Sequence, residues 1–145
     1  MLADGIGDTI RVSLTGDPLE EIAAANDVLA SLGMLPGEVD IISCPTCGRC
    51  KVDLASYVKK VRNALAPIEK ARIENARQGS MGSSGALTVA IMGCVVNGPG
   101  EASHADIGVA FAGSDALLFK KGGDTKKIRE NEVVAELIKA AKAAF

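Results

Sequence analysis

The run Leu-Thr-Val-Ala-Ile-Met at residues 87–92 places the strongest constraint on the fold. All but one of its side chains are apolar, and a run of this length is typical of a strand buried on both faces. A strand covered on both sides lies inside a sheet, with other elements packed above and below it. The sequence therefore predicts a sheet that contains this strand in its interior.

Further strands are predicted on either side of this run. Apolar and β-branched residues in short stretches indicate strands at residues 9–14, 39–42, 107–110 and 116–120. Residues 77–85 are rich in Gly and Ser, so we expect a flexible loop before the buried strand.

Three helices are predicted from helical spacing. Asp17 and Pro18 form an N-cap and first-turn pair that begins a helix over residues 18–32. Its apolar face consists of Ile22, Ala25, Leu29 and Leu32. A second helix is indicated by Leu54, Val58, Val61, Leu65 and Ile68. A terminal helix is indicated by Val134, Leu137, Ile138 and Ala141.

The chain is predicted to divide at the turn-forming residues 33–37. A strand–helix unit at residues 1–36 then precedes an α+β domain at residues 37–145, with a small mixed sheet flanked by helices.

The composition excludes several classes of function. A net charge of -2 gives no basic surface for nucleic acid, and the pair Lys126 and Lys127 is read as solvated surface. There is no run of about 20 apolar residues for a membrane span, and no signal peptide is visible. We therefore expect a cytoplasmic location, where four cysteines indicate metal ligands or redox groups before disulfides.

Three cysteines follow directly on predicted strands. Cys44 and Cys47 have Cys-x-x-Cys spacing after one strand, and Cys94 stands just past another. If those strands are neighbours in one sheet, the three thiolates meet at its C-terminal edge. Three thiolates in a reducing compartment suit a soft metal or an iron–sulfur cluster, and nearby glycines would let the backbone fold tightly around it.

Other interpretations remain open from spacing alone. Cys50 extends the first motif to a third cysteine and makes a four-cysteine iron–sulfur or zinc site possible. Cys44 and Cys47 are also compatible with a redox pair. Glu101 by itself reads as a solvated acid, and His104, the single histidine, reads as an exposed or satisfied imidazole.

Together the motifs resemble one family, the bacterial-type 4-hydroxy-3-methylbut-2-enyl diphosphate synthases of the non-mevalonate isoprenoid pathway. The resemblance rests on Gly-Ile-Gly-Asp-Thr-Ile-Arg-Val-Ser-Leu at 5–14, Ser-Cys-Pro-Thr-Cys-Gly-Arg at 43–49 and Gly-Cys-Val-Val-Asn-Gly-Pro-Gly-Glu at 93–101. It spans nearly the whole chain, and the last motif is highly specific.

The resemblance implies an N-terminal TIM barrel that binds substrate and a C-terminal α+β domain, similar to modules of sulfite and nitrite reductases, that carries a 4Fe-4S cluster. The chain begins where such a barrel is almost complete, so it resembles a C-terminal fragment. The implied ligands are Cys44, Cys47, Cys94 and Glu101. Asn97 would lie near the cluster and join Glu101 in catalysis, while Arg11 and Ser13 would bind the substrate diphosphate.

The resemblance also implies a reaction and partners. The enzyme would convert 2-C-methyl-D-erythritol 2,4-cyclodiphosphate to 4-hydroxy-3-methylbut-2-enyl diphosphate by two-electron reductive dehydroxylation and ring opening. Electrons would come from a ferredoxin or flavodoxin, and the full-length protein would be a homodimer. The alternative from another class is a non-catalytic, zinc-stabilised binding module.

Overall fold

The computed structural model describes residues 1–35, 37–78, 86–96, 98–102, 104–123 and 125–144, without the side chains of residues 76, 77 and 101. Its centre is a five-stranded mixed sheet whose spatial order follows the order in sequence. The strands are β1 (Val39–Ser43), β2 (Leu87–Met92), β3 (Ile107–Ala112), β4 (Asp115–Lys120) and β5 (Lys126–Arg129). β1, β2 and β3 are parallel, and β4 and β5 continue the sheet antiparallel.

Helices cover both faces of this sheet. The helices are α1 (Pro18–Ser31), α2 (Leu54–Arg77), α3 (Gly98–Glu101) and α4 (Val133–Ala143), with short 3-10 helices at Leu2–Asp4 and Glu130–Glu132. α2 and α4 contact each other and pack on one face, while the much shorter α3 contacts β2 and β3 on the other. The α+β prediction, a small mixed sheet flanked by helices, is confirmed.

The side chains of strand β2 are buried on both faces of the sheet. Val89 and Ile91 belong to the larger core beneath α2 and α4, whereas Ala90 and Met92 belong to a smaller core next to α3. Alternate side chains of a strand point to opposite faces, so a run apolar at nearly every position requires two apolar layers. The predicted interior strand at residues 87–92 is confirmed.

The core face of α2 was predictable from spacing. Leu54, Val61, Leu65 and Ile68 are buried, and Val58 packs against the same core. The helix extends to Arg77 and contains Pro67. Of the predicted loop at 77–85, residue 77 lies in the helix, residue 78 is a turn, and residues 79–85 lie outside the described residues.

The N-terminal segment differs from the prediction. Helix α1 forms as expected, and the Asp17 carboxylate accepts a hydrogen bond from the Leu19 N–H at 2.9 Å. The predicted strand at residues 9–14 was wrong, because this stretch is assigned to no strand and pairs with none of the described strands. A strand needs a neighbour to satisfy its backbone donors and acceptors, and alternation in the sequence cannot supply one.

The apolar face of α1 is not buried in this chain. Ile22 is 58% exposed and Leu32 is 37% exposed, and no residue of the helix is fully buried. The predicted apolar face therefore forms on a helix, but none of the residues of that helix is buried.

Strand β5 and helix α3 were not predicted from the sequence. Strand β5 contains Lys126 and Lys127, which were read as solvated surface, and only Ile128 within it is buried. An edge strand needs one apolar anchor, and its exposed lysines discourage pairing with another chain. No helix was predicted at the glycine-rich α3, because Gly and Pro disfavour helices. Across the described part of the chain, no helix is both long and apolar enough to span a membrane.

We predict that Gly98→Ala lowers the free energy of unfolding by about 1–3 kcal/mol. A Cβ added at Gly98 would stand 2.7 Å from the Met92 Cβ and 3.1 Å from the Ala110 Cβ, so α3 would have to move away from the sheet. Gly100→Ala is the matched control in the same helix, because a Cβ there meets nothing within 4 Å. Urea denaturation of both variants measures the difference, and equal stability of the two would contradict close packing of α3.

Candidate metal centre

The parallel pairing of β1 and β2 brings the cysteine motifs together. Ser43 is the last residue of β1, and it is paired with Ile91, the penultimate residue of β2. Cys44 therefore begins its loop beside Gly93 and Cys94, although these residues are about fifty positions apart in sequence. The predicted meeting of the two motifs at the C-terminal edge of the sheet is confirmed.

A cavity of about 160 Å³ lies at this edge. Its lining consists of Cys44, Pro45, Thr46, Cys47, Arg49, Met92, Cys94 and Gly98. Three of the four cysteines thus border one space, together with one permanently charged side chain. The cavity combines soft sulfur donors with an apolar wall, which is the chemistry that a thiolate-bound metal group requires.

The loop after β1 is held in an unusual conformation. Thr46 has a φ of 64°, the only positive φ of a residue other than glycine in the described chain. A β-branched residue in this left-handed region is strained, at a typical cost of about 1–3 kcal/mol. The next turn is closed by the Cys50 N–H, which donates to the Cys47 carbonyl at 2.9 Å. The strain is thus concentrated between Cys44 and Cys47.

The backbone also supplies a donor to sulfur. The N–H of Gly93 donates to the Cys44 Sγ at 3.3 Å. Gly93 is buried, and a Cβ added to it would lie 2.5 Å from the Cys50 Sγ and 3.5 Å from the Cys44 Sγ. A side chain at this position would collide with the Cys50 sulfur, whereas its approach to the Cys44 sulfur would be an ordinary van der Waals contact.

Cys50 occupies a different place from the other three cysteines. It does not line the cavity, and its thiol donates a hydrogen bond to the Val52 carbonyl at 3.3 Å. Its side chain packs against the larger core. The structure therefore groups Cys44, Cys47 and Cys94 and sets Cys50 behind the Gly93 backbone.

The remaining predicted site residues are placed in different ways. Glu101 is the last residue of α3, whose backbone lies against β2 and β3, but its side chain is outside the description. Asn97 lies outside the described residues altogether. Arg11 and Ser13 are exposed in the N-terminal segment and do not line the cavity, and His104 is exposed.

Sequence reasoning did not single out Arg49 or Met92 for the site. Arg49 lies inside the Cys-x-x-Cys-x-x-Cys stretch, and its charge within a loop of predicted ligands could have identified it as a site residue. Met92 ends the buried strand, and its role as a wall depends on strand register, which sequence does not give.

A larger cavity of about 410 Å³ lies beside the turn between β3 and β4. There the Tyr57 hydroxyl donates to the Glu130 carboxylate at 2.9 Å, and burial together with this carboxylate raises the pKa of Tyr57. Asp115 forms an ion pair with Lys127 at 2.8 Å. These polar groups pair with one another, so the cavity reads as a junction between elements.

In the described side chains, no three His, Cys, Asp or Glu residues are grouped so that they could hold a metal ion. The three cysteines instead border a space, and an N–H already points at one sulfur, as occurs around iron–sulfur clusters. Sulfur donors of this kind suit either a soft metal ion or an iron–sulfur cluster.

Comparison with known proteins gives consistent matches. The chain is 47% identical to a protein of Clostridium perfringens and 49% identical to one of Ruminiclostridium cellulolyticum, each over 96% of its length. It is 43% identical over 95% of its length to a protein of Geobacter sulfurreducens. Each of these relatives is named 4-hydroxy-3-methylbut-2-en-1-yl diphosphate synthase (flavodoxin).

The matches cover a limited part of the relatives. The chain spans only 36% of the Clostridium perfringens protein and 35% of the other two. The family described as GcpE protein C-terminal domain matches residues 40–143, which include all five strands except the first residue of β1. The chain therefore belongs to the GcpE C-terminal domain family.

Proposed function

We propose that this chain is the cluster-bearing part of an enzyme that reduces 2-C-methyl-D-erythritol 2,4-cyclodiphosphate to 4-hydroxy-3-methylbut-2-enyl diphosphate. The observation that carries the proposal is the cavity bordered by Cys44, Cys47 and Cys94 at the ends of two adjacent parallel strands. The names of the relatives support the reaction.

We assign the thiolates of Cys44, Cys47 and Cys94 and the carboxylate of Glu101 as ligands of a 4Fe-4S cluster. The thiolates come from two loops anchored on strands, so they would hold the cluster firmly. The Glu101 carboxylate is a harder donor than thiolate and is the weakest of the four protein ligands. It is therefore the ligand that can yield its position to substrate.

The bound cluster would supply electrons one at a time for the two-electron reduction. The chain's own groups would prepare the site for an anionic substrate. Arg49 places a permanent positive charge at the cavity, and Met92 and Pro45 add apolar surface to its lining. Asn97 is proposed to contact substrate beside Glu101, because it lies four positions before it in the same motif.

The N-terminal segment is proposed to belong to the substrate domain. Residues 1–36 would be the last strand–helix unit of a barrel, and residues 37–145 the cluster domain. The exposed apolar side chains of α1 support this division, because a unit of a barrel packs them against neighbouring helices. Arg11 and Ser13 would then contact the substrate diphosphate from the segment that precedes α1.

We further propose flavodoxin, or a ferredoxin acting in its place, as the electron donor, since the relatives carry flavodoxin in their names. The full-length protein is proposed to act as a cytoplasmic homodimer, in which the cluster domain of one subunit meets the barrel of the other.

Metal analysis tests the proposal directly. Protein purified without oxygen should be brown, absorb broadly in the visible range and contain about equal amounts of iron and sulfide. Colourless protein with one bound zinc and no sulfide would instead establish the zinc-stabilised module. This measurement needs no substrate, so it separates the cofactor from the reaction.

Cys94→Ser should lose most of the iron, because it removes one of the three thiolates that hold the cluster. Cys50→Ser is the matched control, since Cys50 stands outside the cavity, and it should keep its iron. Iron and sulfide are measured per chain in both variants. Equal loss from the two changes would make Cys50 a ligand.

Glu101→Ala should keep the colour and lose turnover when it is made in an intact enzyme that contains this chain. Three thiolates retain the cluster, but the exchangeable corner loses its protein ligand. Glu74→Ala, an exposed change on α2, is the control. Visible absorption and cyclodiphosphate reduction are measured together, and undiminished turnover in Glu101→Ala would remove this residue from the mechanism.

A further inference from the structure

We infer that Cys50 is a positioning residue: it holds Gly93 so that the Gly93 N–H donates to the Cys44 sulfur, and it thereby raises the reduction potential of the cluster. The inference rests on the proposed function, because it concerns the cluster assigned to this cavity. It gives a role to the one cysteine that the ligand set leaves out.

Contact with Gly93 is the first observation. A Cβ built on Gly93 would stand 2.5 Å from the Cys50 Sγ and 3.1 Å from the Cys50 Cβ. The Cys50 side chain therefore lies flat against the Gly93 backbone, on the side where any other residue would carry its side chain. Gly93 has no room to move toward Cys50.

Two hydrogen bonds fix Cys50 in that position. Its thiol donates to the Val52 carbonyl at 3.3 Å, and its N–H donates to the Cys47 carbonyl at 2.9 Å. The thiol is turned toward the Val52 carbonyl, and Cys50 does not line the cavity that Cys44, Cys47 and Cys94 border. Cys50 is thus arranged as packing behind the site.

The Gly93 N–H reaches the Cys44 Sγ at 3.3 Å. A donor aimed at a ligating sulfur stabilises negative charge on that sulfur, and the reduced cluster carries one more negative charge than the oxidised cluster. The hydrogen bond therefore favours the reduced state and raises the potential. If Gly93 shifts, the bond lengthens and the potential falls.

The first experiment replaces Cys50 in the full chain, with the cluster reconstituted from ferrous iron and sulfide without oxygen. Cys50→Ala leaves a gap behind Gly93, whereas Cys50→Ser keeps a donor of similar size. Both should hold as much iron as the unchanged chain. At one fixed applied potential, Cys50→Ala should show a reduced-to-oxidised ratio about tenfold lower, equivalent to about 59 mV for one electron, and Cys50→Ser should stay close to the unchanged chain.

The second experiment uses the close approach itself. Gly93→Ala puts its new Cβ against the Cys50 Sγ and should lower the potential by displacing the backbone. Combining it with Cys50→Ala removes that sulfur and leaves a Cβ-to-Cβ distance of 3.1 Å, which needs only a small adjustment. The double variant should therefore lie closer to the unchanged chain than Gly93→Ala alone does.

The outcomes separate the two levels of the proposal. The inference is overturned, and the proposed function left standing, if Cys50→Ala and Gly93→Ala both carry a normal cluster with the same potential as the cluster of the unchanged chain. Iron loss in Cys50→Ala as large as that in Cys94→Ser also overturns it, by making Cys50 a ligand. An unchanged chain that takes up neither iron nor sulfide overturns the proposed function and this inference with it.

Discussion

The site depends first on the parallel pairing of β1 with β2. Their register sets Ser43 beside Ile91, and from that one alignment Cys44 starts its loop next to Gly93. A shift by one residue would turn every side chain of the strand to the other face. Because Val89 and Ile91 are buried on one side and Ala90 and Met92 on the other, such a shift would disturb two cores of different depth. The same packing that stabilises the sheet therefore also fixes the position of the sulfurs.

The two cores differ in the size of their side chains. The larger core, beneath α2 and α4, holds bulky side chains such as Leu65 and Leu137 and accounts for most of the buried apolar surface. The smaller core, next to α3, is built largely from alanines, which allow a glycine-rich helix to lie close to the sheet. Small residues on that face let the backbone that ends at Glu101 approach the strand ends where Cys44 and Cys94 stand. One face of the sheet therefore carries most of the stabilising core, and the other face allows the α3 backbone to lie near the cysteines.

Much of this arrangement was predictable from the sequence, and the exceptions have physical reasons. The strand at residues 87–92, the core face of α2 and the meeting of Cys44 with Cys94 followed from apolar spacing and from motif positions after strands. Strand β5 was missed because one buried residue, Ile128, gives no periodic signal. The prediction of a strand at 9–14 was wrong because a strand forms only beside a neighbouring strand, which the sequence pattern does not reveal. The contact of Cys50 with Gly93 was inaccessible to sequence reasoning, since it arises from how two loops pack. Whether Glu101 and Asn97 act as predicted stays a prediction.

Helix α2 has a consequence for the order in which the protein matures. It lies between the two cysteine motifs, and together with its flanking loops it separates β1 from β2 by more than forty residues. In the unfolded chain Cys47 and Cys94 are therefore far apart, and bringing them together carries the entropy cost of closing a long loop. Formation of the sheet places the loops that carry Cys44, Cys47 and Cys94 side by side. For the cluster proposed above, iron and sulfide would bind most readily after the sheet has formed, and substitutions on the buried face of α2 would lower the iron content of the chain.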